Sequence, residues 1–289
     1  MKLEDKVSDY IPEFQEMWVK SESGLKKAEK PITIQNLFSM TSGMNYDLNN
    51  PSILAQRAKN PNSSTLEMVR AMAGEPLEFE PGEHFKYSLS HDVLAAVVEV
   101  VSDMSFGEYL QKHIFDACGM TRTGFTLNEE IKEKMCSQYI YDAQAGKASL
   151  KGKWNQFILT PAYQSGGAGL ISSLDDYTSF AKMLLNKGEI NGNRVISEKA
   201  VKLISTPQVP ESIMPGNERW RLGVRVITSE NYRYLPVGTF GWSGAYGTHF
   251  WIDPVNSIAA VYMKNSMYDG GSGAVTAANF EKDVFNSFE

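Results

Sequence analysis

Apolar residues recur at helical spacing through the first two thirds of the chain and at strand spacing through the last third. The helical periodicity predicts five helices, at residues 34–40, 64–73, 92–102, 105–115 and 174–187. The third segment, DVLAAVVEVVS, is apolar nearly all round. That pattern is typical of a helix that is buried on most of its sides.

The ends of these helices carry capping residues. Thr33 is placed to N-cap the first helix, and Gly43 follows it as a natural stop. Ser105 and Glu108 have the spacing of a capping box. Gly188 ends the last of the five. The predicted boundaries therefore rest on local chemistry as well as on periodicity.

The pattern changes after Trp220. Three short segments rich in β-branched and aromatic residues predict strands, at residues 221–228, 247–254 and 257–265. A closing helix follows, with Glu281 on its flank and one apolar face formed by Ala277, Phe280, Val284 and Phe288. Helices, then an antiparallel meander, then a helix that can cover it predict an α+β fold.

Composition narrows the function without naming it. The chain has 289 residues, 42% hydrophobic and 21% charged, with a formal net charge of -6. A mildly acidic chain without a basic cluster is a poor ligand for nucleic acid. No apolar run approaches the roughly 18 residues of a membrane span. We expect one domain large enough to bury a sizeable core.

Neither export nor metal binding has support in these residues. The first ten residues, MKLEDKVSDY, contain no apolar core, so we expect a cytoplasmic chain unless an export signal lies further upstream. Cys118 and Cys136 have no metal spacing and are expected to be free thiols. The four histidines form no HExxH pair. We therefore expect no metal and no organic cofactor.

The stretch PGEHFKYSLSHDVL, residues 81–94, raises a chemical question. A turn at Pro81 and Gly82 delivers Tyr87 to the start of a very apolar helix. One interpretation is a half-buried tyrosine that anchors the helix. The other is a hydroxyl with a chemical task, and the flanking segments favour it.

Four segments in order resemble the serine β-lactamase-like family, which includes class C β-lactamases, DD-peptidases and related esterases. They are PITIQNLFSMTSG (31–43), residues 81–120, residues 165–188 and FGWSGAYGTHFWIDP (240–254). The resemblance covers nearly the whole chain. It implies a β-lactamase-like or DD-peptidase-like fold, with a helical lobe at about 1–205 and a sheet lobe with its C-terminal helix at about 219–289.

The resemblance also implies acyl transfer through a serine ester. The family's signature is a Ser-x-x-Lys helix start, a Tyr-x-Asn or Ser-x-Asn element and a Lys-Thr-Gly-like strand. Tyr87 matches the family's tyrosine, whose implied task is general acid and base at the nucleophile and leaving group. A tyrosine with an ordinary pKa near ~10 needs a nearby cation for that task.

The match departs at the next element. Leu89 stands at the family's asparagine position, and leucine cannot hydrogen-bond a lysine or a substrate amide. Ser90 and His91 are the candidate substitutes, with His91 as a candidate catalytic residue. Each of the two could equally cap the helix at 92–102.

Trp242, Ser243 and Gly244 align with the family's Lys-Thr-Gly-like element, so we expect them to contact substrate. Gly244 would let backbone approach the substrate closely. The N–H of Ala245 would be one oxyanion-hole donor. Trp242 replaces a cation that helps to bind a substrate carboxylate, which favours neutral esters or amides. The alternative for Trp242 is a core aromatic residue on a strand.

The nucleophile is the unmatched part of the signature. Residues 2–14 resemble the family segment that follows the Ser-x-x-Lys helix, so we expect that helix and the first strands upstream of Met1. Two Ser-x-x-Lys matches, at 23–26 and 179–182, look like chance. GWSGA at 241–245 lacks the helix that must follow a nucleophile elbow.

These expectations combine into one hypothesis and one alternative. The first is an esterase-leaning serine hydrolase acting on a small ester or amide, inactive and of marginal stability as the isolated chain. The alternative is a non-catalytic binding or regulatory homologue that keeps the cleft. A third idea supplies the missing segment from another chain.

Overall fold

The computed structural model describes residues 1–125, 129–153, 155–206, 209–230, 232, 234–269 and 275–288. The chain forms two compact units, each assembled from separate segments. Unit 1 comprises Met1–Leu110, Gln156–Leu170 and Gln208–Met214. Unit 2 comprises Gln111–Asn155, Ile171–Pro207 and Pro215–Glu289. Unit 2 therefore includes residues 111–155 and 171–205, which the family resemblance placed in the helical lobe.

Unit 1 is mainly helical, with one small hairpin. Its helices are α1 (Ile34–Phe38), α2 (Pro51–Lys59), α3 (Thr65–Met72), α4 (Ser90–Ser102) and α5 (Phe106–Leu110). Its hairpin strands are β1 (Trp18–Ser21) and β2 (Gly24–Lys27). Single 3₁₀ turns lie at Val7–Asp9 and Pro12–Gln15. The hairpin and α2 had no prediction from the sequence.

The predicted caps of unit 1 are present. The Thr33 hydroxyl accepts the Asn36 N–H at 3.2 Å, and the Asn36 side chain accepts the Thr33 N–H at 3.0 Å. Helix α1 ends at Phe38, two residues before the predicted end. The Ser105 N–H donates to Glu108 Oε2 at 3.0 Å, which confirms that capping box.

The core of unit 1 lies between α4 and the shorter helices. Val93, Ala96 and Val97 of α4 pack with Leu37, Met68 and other apolar residues that are at most 7% exposed. Val101, at the end of α4, is half exposed. Helix α4 is therefore buried on most sides in its first two turns and meets solvent at its end.

Unit 2 combines ten short strands with five helices among its described residues. The helices are α6 (Asp116–Cys118), α7 (Glu129–Lys134), α8 (Leu174–Leu185), α9 (Glu198–Ile204) and α10 (Val275–Asn286), with a π-helical turn at Gln111–Phe115. The strands are β3 (Gln138–Asp142), β4 (Lys147–Gly152), β5 (Glu189–Ile190), β6 (Asn193–Arg194), β7 (Glu218–Trp220), β8 (Arg225–Ile227), β9 (Phe240–Ser243), β10 (His249–Asp253), β11 (Ile258–Tyr262) and β12 (Ser266–Met267).

The main sheet of unit 2 has the order β11-β10-β9-β8-β7 with every neighbouring pair antiparallel. Three of these strands, β8, β10 and β11, lie within the three predicted segments, and β7 and β9 extend the predicted meander. The register pairs His249 with Ser243 and Trp251 with Gly241 across β10 and β9. A separate three-stranded sheet joins β12, β3 and β4, and the short strands β5 and β6 form a hairpin.

Helix α10 covers one face of the main sheet, as its apolar stripe predicts. Phe280 and Val284 pack against a cluster that contains Ile227, Trp251 and Ala260. Glu281 corrects the prediction of a flank position, because its side chain is completely buried. A buried carboxylate needs partners that stabilise its charge, and unit 2 supplies them.

Two further features of the described residues bear on the sequence analysis. Cys118 is buried and Cys136 is exposed, and both are free thiols, as expected. Among the residues that the structure describes, no helix is long and apolar enough to cross a membrane.

Candidate active site

Tyr87 lies on the segment that leads into α4. The turn before it is tied to unit 1 by the Gly82 N–H, which donates to the Thr41 carbonyl at 2.8 Å, and by the Lys86 N–H, which donates to the Met40 carbonyl at 2.9 Å. Gly82 has a φ of +88°, a conformation that L side chains rarely adopt. These two hydrogen bonds therefore fix the position of the backbone that leads into Tyr87.

The ring of Tyr87 is held by another tyrosine that the sequence analysis missed. Tyr46 stacks on it with ring centroids 5.4 Å apart and 19° between the planes. Phe157 contacts Tyr46 edge-on, with ring centroids 6.4 Å apart and 86° between the planes. Burial raises the pKa of the Tyr46 hydroxyl, so Tyr46 stays neutral and supports the ring of Tyr87 by packing.

The lysine adjacent to Tyr87 is already engaged. Lys86 Nζ lies 3.3 Å from Glu78 Oε2, and Lys20 Nζ contacts the other Glu78 oxygen at 2.8 Å. These two lysines hold the pKa of Glu78 below its usual range. Lys86 is therefore part of a surface ion pair.

Leu89 and Ser90 are deeply buried. Leu89 is 2% exposed in the core of unit 1 and occupies the N-cap position of α4. The Ser90 hydroxyl lies 2.7 Å from the hydroxyls of Ser42 and Ser88. This serine cluster satisfies Ser90 internally. A substrate contact by Leu89 or Ser90 stays a prediction, and their surroundings here are those of core residues.

His91 stands at the first turn of α4 as a neutral imidazole. Burial lowers its pKa to about 4, against a hydrogen bond to the Phe38 backbone that acts in the opposite direction. A Cβ atom added at Gly166 would lie 2.0 Å from the His91 carbonyl oxygen. Glycine at 166 is thus required for residues 165–167 to pack on α4. A catalytic role for His91 stays a prediction.

Asp92, a second residue that the sequence analysis missed, is completely buried one position further on. The Tyr163 hydroxyl donates to Asp92 Oδ1 at 2.5 Å, and the Ser165 hydroxyl donates to the same oxygen at 2.6 Å. Within the described residues no lysine or arginine pairs with Asp92, and burial raises the pKa of its carboxyl group. An acid at the start of a strongly apolar helix was the signal available in the sequence.

Trp242 and Ser243 end strand β9 of unit 2. Trp242 is half-buried, and its ring meets Trp220 in a T-shaped contact with centroids 4.4 Å apart and 89° between the planes. This contact suits either interpretation of Trp242, as a packed aromatic residue or as a wall for a ligand.

Gly244 and Ala245 form the turn after β9. The Gly244 N–H donates to the Thr248 carbonyl at 2.8 Å, and the Gly247 N–H donates to the Gly244 carbonyl at 2.9 Å. A Cβ atom at Gly244 would lie 2.2 Å from Thr248 Oγ1, so a side chain there would have to displace the Thr248 hydroxyl. Ala245 is exposed, and among the described residues its N–H meets no backbone acceptor. An N–H without a backbone acceptor is what an oxyanion donor needs.

Ser243 joins a buried polar chain that the sequence analysis did not foresee. Its hydroxyl lies 2.9 Å from His249 Nδ1, and His249 Nε2 lies 3.1 Å from Glu281 Oε1. Arg225 Nη2 donates to the same glutamate oxygen at 3.0 Å. These hydrogen bonds connect four side chains, which lie on strands β8, β9 and β10 and on helix α10.

The two Ser-x-x-Lys matches have settings unlike a nucleophile site. Ser23 is exposed in the turn between β1 and β2, and Lys26 pairs with Glu80 at 3.0 Å. Ser179 lies within α8, and Lys182 is exposed. These placements agree with their interpretation as chance matches.

Comparison with known proteins decides the family. A family model described as "Beta-lactamase" matches residues 1–281. The chain belongs to this family. The predicted family is thereby confirmed, and with it a serine hydrolase family that has esterases among its members.

Two proteins of known sequence align with most of this chain. Protein Rv1367c of Mycobacterium tuberculosis is 27% identical over 286 residues, which are 91% of this chain and 71% of that protein. Esterase EstB of Burkholderia gladioli is 26% identical over 306 residues, which are 96% of this chain and 74% of that protein.

A solved structure confirms the predicted fold. EstCE1, described as a hydrolase with promiscuous acyltransferase activity, has a TM-score of 0.78 and 24% sequence identity. The match covers 99% of this chain and 78% of that one. At this identity the likeness establishes the β-lactamase-like fold alone.

Proposed function

We propose that residues 1–289 supply the acid-base tyrosine and the oxyanion edge for acyl transfer on small neutral esters. In this proposal a serine outside these residues attacks the acyl carbon, and Tyr87 moves the proton. The N–H of Ala245 and the N–H of that serine hold the oxyanion. Water or an alcohol then takes the acyl group and releases the serine.

The observation that carries the proposal is the placement of Tyr87 in a chain of this family. Its ring is stacked on Tyr46, the backbone before it is tied to residues 40 and 41, and α4 begins three residues later. A general acid or base acts only when its position is fixed near the reacting atoms. The N–H of Ala245, an exposed residue, adds the second expected component.

The preference for neutral esters follows from Trp242. A substrate carboxylate gains most from an arginine or lysine partner. An indole at that position offers an apolar face instead, and Trp220 packs against it. Esters without a carboxylate are therefore the favoured substrate class, with amides as the slower relatives of the same chemistry.

The proposal is tested with the complete gene product, since the proposed nucleophile lies outside residues 1–289. We expect hydrolysis of p-nitrophenyl butyrate, slower reaction with benzylpenicillin, and a Y87F variant with kcat lowered by about 10²- to 10⁴-fold. The matched control is Y139F, a partly exposed tyrosine of β3, which keeps full activity. Undiminished activity in Y87F, or no ester hydrolysis at all, contradicts the proposal.

A second candidate is a non-catalytic homologue that binds a ligand in the same cleft. Leu89 in the core and Trp242 on β9 favour it, because neither retains the hydrogen-bonding group of the family signature. The DNA upstream of Met1 distinguishes the two. An in-frame Ser-x-x-Lys segment favours the hydrolase, and a stop codon with a ribosome-binding site favours the binding protein.

A further inference from the structure

The polar chain behind Ser243 is buried at His249, Glu281 and Arg225. The side chains of His249 and Glu281 are completely inaccessible, and that of Arg225 is 8% exposed. Arg225 also donates through Nη1 to Glu218 Oε2 at 3.0 Å, and Glu218 is about a third exposed. The chain therefore has one solvated end, at Glu218, and a dry interior.

The chemistry of the polar chain determines which of its atoms carry protons. A guanidinium next to a carboxylate keeps that carboxylate ionised, and an ionised carboxylate only accepts hydrogen bonds. His249 Nε2, 3.1 Å from Glu281 Oε1, must therefore carry the proton. With a neutral imidazole, the buried Arg225 and Glu281 balance each other, and the one remaining charge lies on Glu218, the member of the set that reaches water.

The consequence falls on Ser243. In a neutral imidazole with its proton on Nε2, Nδ1 is an acceptor. The Ser243 hydroxyl, 2.9 Å away, then donates its only proton to that nitrogen in a hydrogen bond. Its oxygen keeps lone pairs and has no proton left to give. A serine hydroxyl can usually act as a donor or as an acceptor toward a ligand, and here only the acceptor role is left.

We infer that Glu281 and His249 are positioning residues that fix Ser243 as a hydrogen-bond acceptor at the Trp242–Gly244 edge. This edge then selects esters that present an N–H or O–H group beside the acyl carbon, and it disfavours carboxylates. The substrate part of the inference rests on the proposed function. The absence of a positive charge at Trp242 acts in the same direction.

The tautomer is measured directly by ¹⁵N NMR of the histidine side chains in the full chain. We expect His249 in the Nε2–H form, favoured over the Nδ1–H form by roughly tenfold or more, as suits a bond to a charged acceptor. In E281Q the glutamine oxygen is engaged by Arg225 and its amide group faces His249. The preference should then fall to within about threefold.

The matched control is E218Q, which removes the other carboxylate from Arg225 without touching His249. It should leave the His249 tautomer unchanged. An Nδ1–H or doubly protonated ring in the unmodified protein would overturn the inference. So would an E281Q variant whose tautomer is the same as that of the unmodified protein.

Substrate selection is tested with a matched pair, N-acetyl-alanine methyl ester and free N-acetyl-alanine. We expect the ester alone to shift the backbone amide signals of Ser243 and Ala245, and we expect E281Q to lose this discrimination. Equal shifts with both compounds would overturn the selectivity. Shifts with neither, in a protein that keeps the Nε2–H tautomer, would contradict the proposed ester function and leave the positioning by Glu281 and His249 intact.

Discussion

Both units bury a carboxylate, and they treat it in opposite ways. In unit 1, Asp92 receives two hydroxyl donors and no cation among the described residues, and its pKa is raised. In unit 2, Glu281 receives the guanidinium of Arg225 and the imidazole of His249. Without a cation, burial dominates the pKa of the carboxyl group and favours the neutral acid. An arginine partner keeps the carboxylate charged.

The difference teaches what each network can do. The carboxyl group of Asp92, which accepts hydrogen bonds from Tyr163 and Ser165, holds the 163–167 segment against α4, close in sequence to Tyr87. An ionised Glu281 determines which atom donates in each hydrogen bond from Glu281 through His249 to Ser243. Unit 1 thus uses its acid for packing, and unit 2 uses its acid for orientation.

The largest expected effect comes from removing the cation of unit 2. R225M leaves the completely buried Glu281 without its cation, so the carboxyl group must either stay charged and uncompensated or take up a proton, and we expect a loss of about 3–5 kcal/mol in the free energy of unfolding. Urea denaturation measures it. R194M is the control, because Arg194 and Glu189 are both about half exposed, and its cost should stay under ~1 kcal/mol. Equal costs would erase the contrast between buried and exposed pairs.

A pH effect should separate unit 1 from unit 2. His91 has a pKa lowered to about 4, so the unfolded chain takes up its proton first as the pH falls. Stability from this group is complete above about pH 6.5 and is lost as the pH falls towards 4, by roughly 2 kcal/mol. H91Q should lose less stability than the unmodified protein between pH 7 and pH 4.5. H84Q, at an exposed histidine, serves as the control, and an H91Q response equal to that of the unmodified protein would contradict the account.

The smallest expected effect concerns Asp92. A raised pKa means that the carboxyl group contributes most below its unfolded pKa and progressively less as the pH rises through its folded pKa. D92N keeps an oxygen for Tyr163 and Ser165 and removes the charge. We expect D92N to gain about 1 kcal/mol relative to the unmodified protein between pH 5 and pH 8. A relative loss at pH 8 would show that the carboxylate is stabilised by its surroundings.

The sequence predicted the elements whose signals are local. Thr33, Ser105 and the meander after Trp220 lie where capping chemistry and strand periodicity place them. The hairpin β1–β2 escaped prediction because its strands have four residues each and are mostly exposed. Such strands carry no alternation between buried and exposed positions.

The candidate site was less predictable, because its supporting residues are distant in sequence. Tyr46 stacks on Tyr87 from 41 residues away, and Glu281 reaches His249 from 32 residues away. Nothing in the helical pattern of α10 distinguishes an outward glutamate from one that pairs with an arginine. The chemistry-bearing segments themselves, around Tyr87 and Trp242, were evident because they resemble a family.

The central claim is that residues 1–289 hold the acid-base tyrosine and oxyanion edge of a serine hydrolase but not its nucleophile. Intact mass after incubation of the folded chain with a fluorophosphonate tests it most directly. The account predicts no adduct. A stoichiometric adduct would contradict it, and peptide mapping would then name the working serine among Ser23, Ser179 and Ser243.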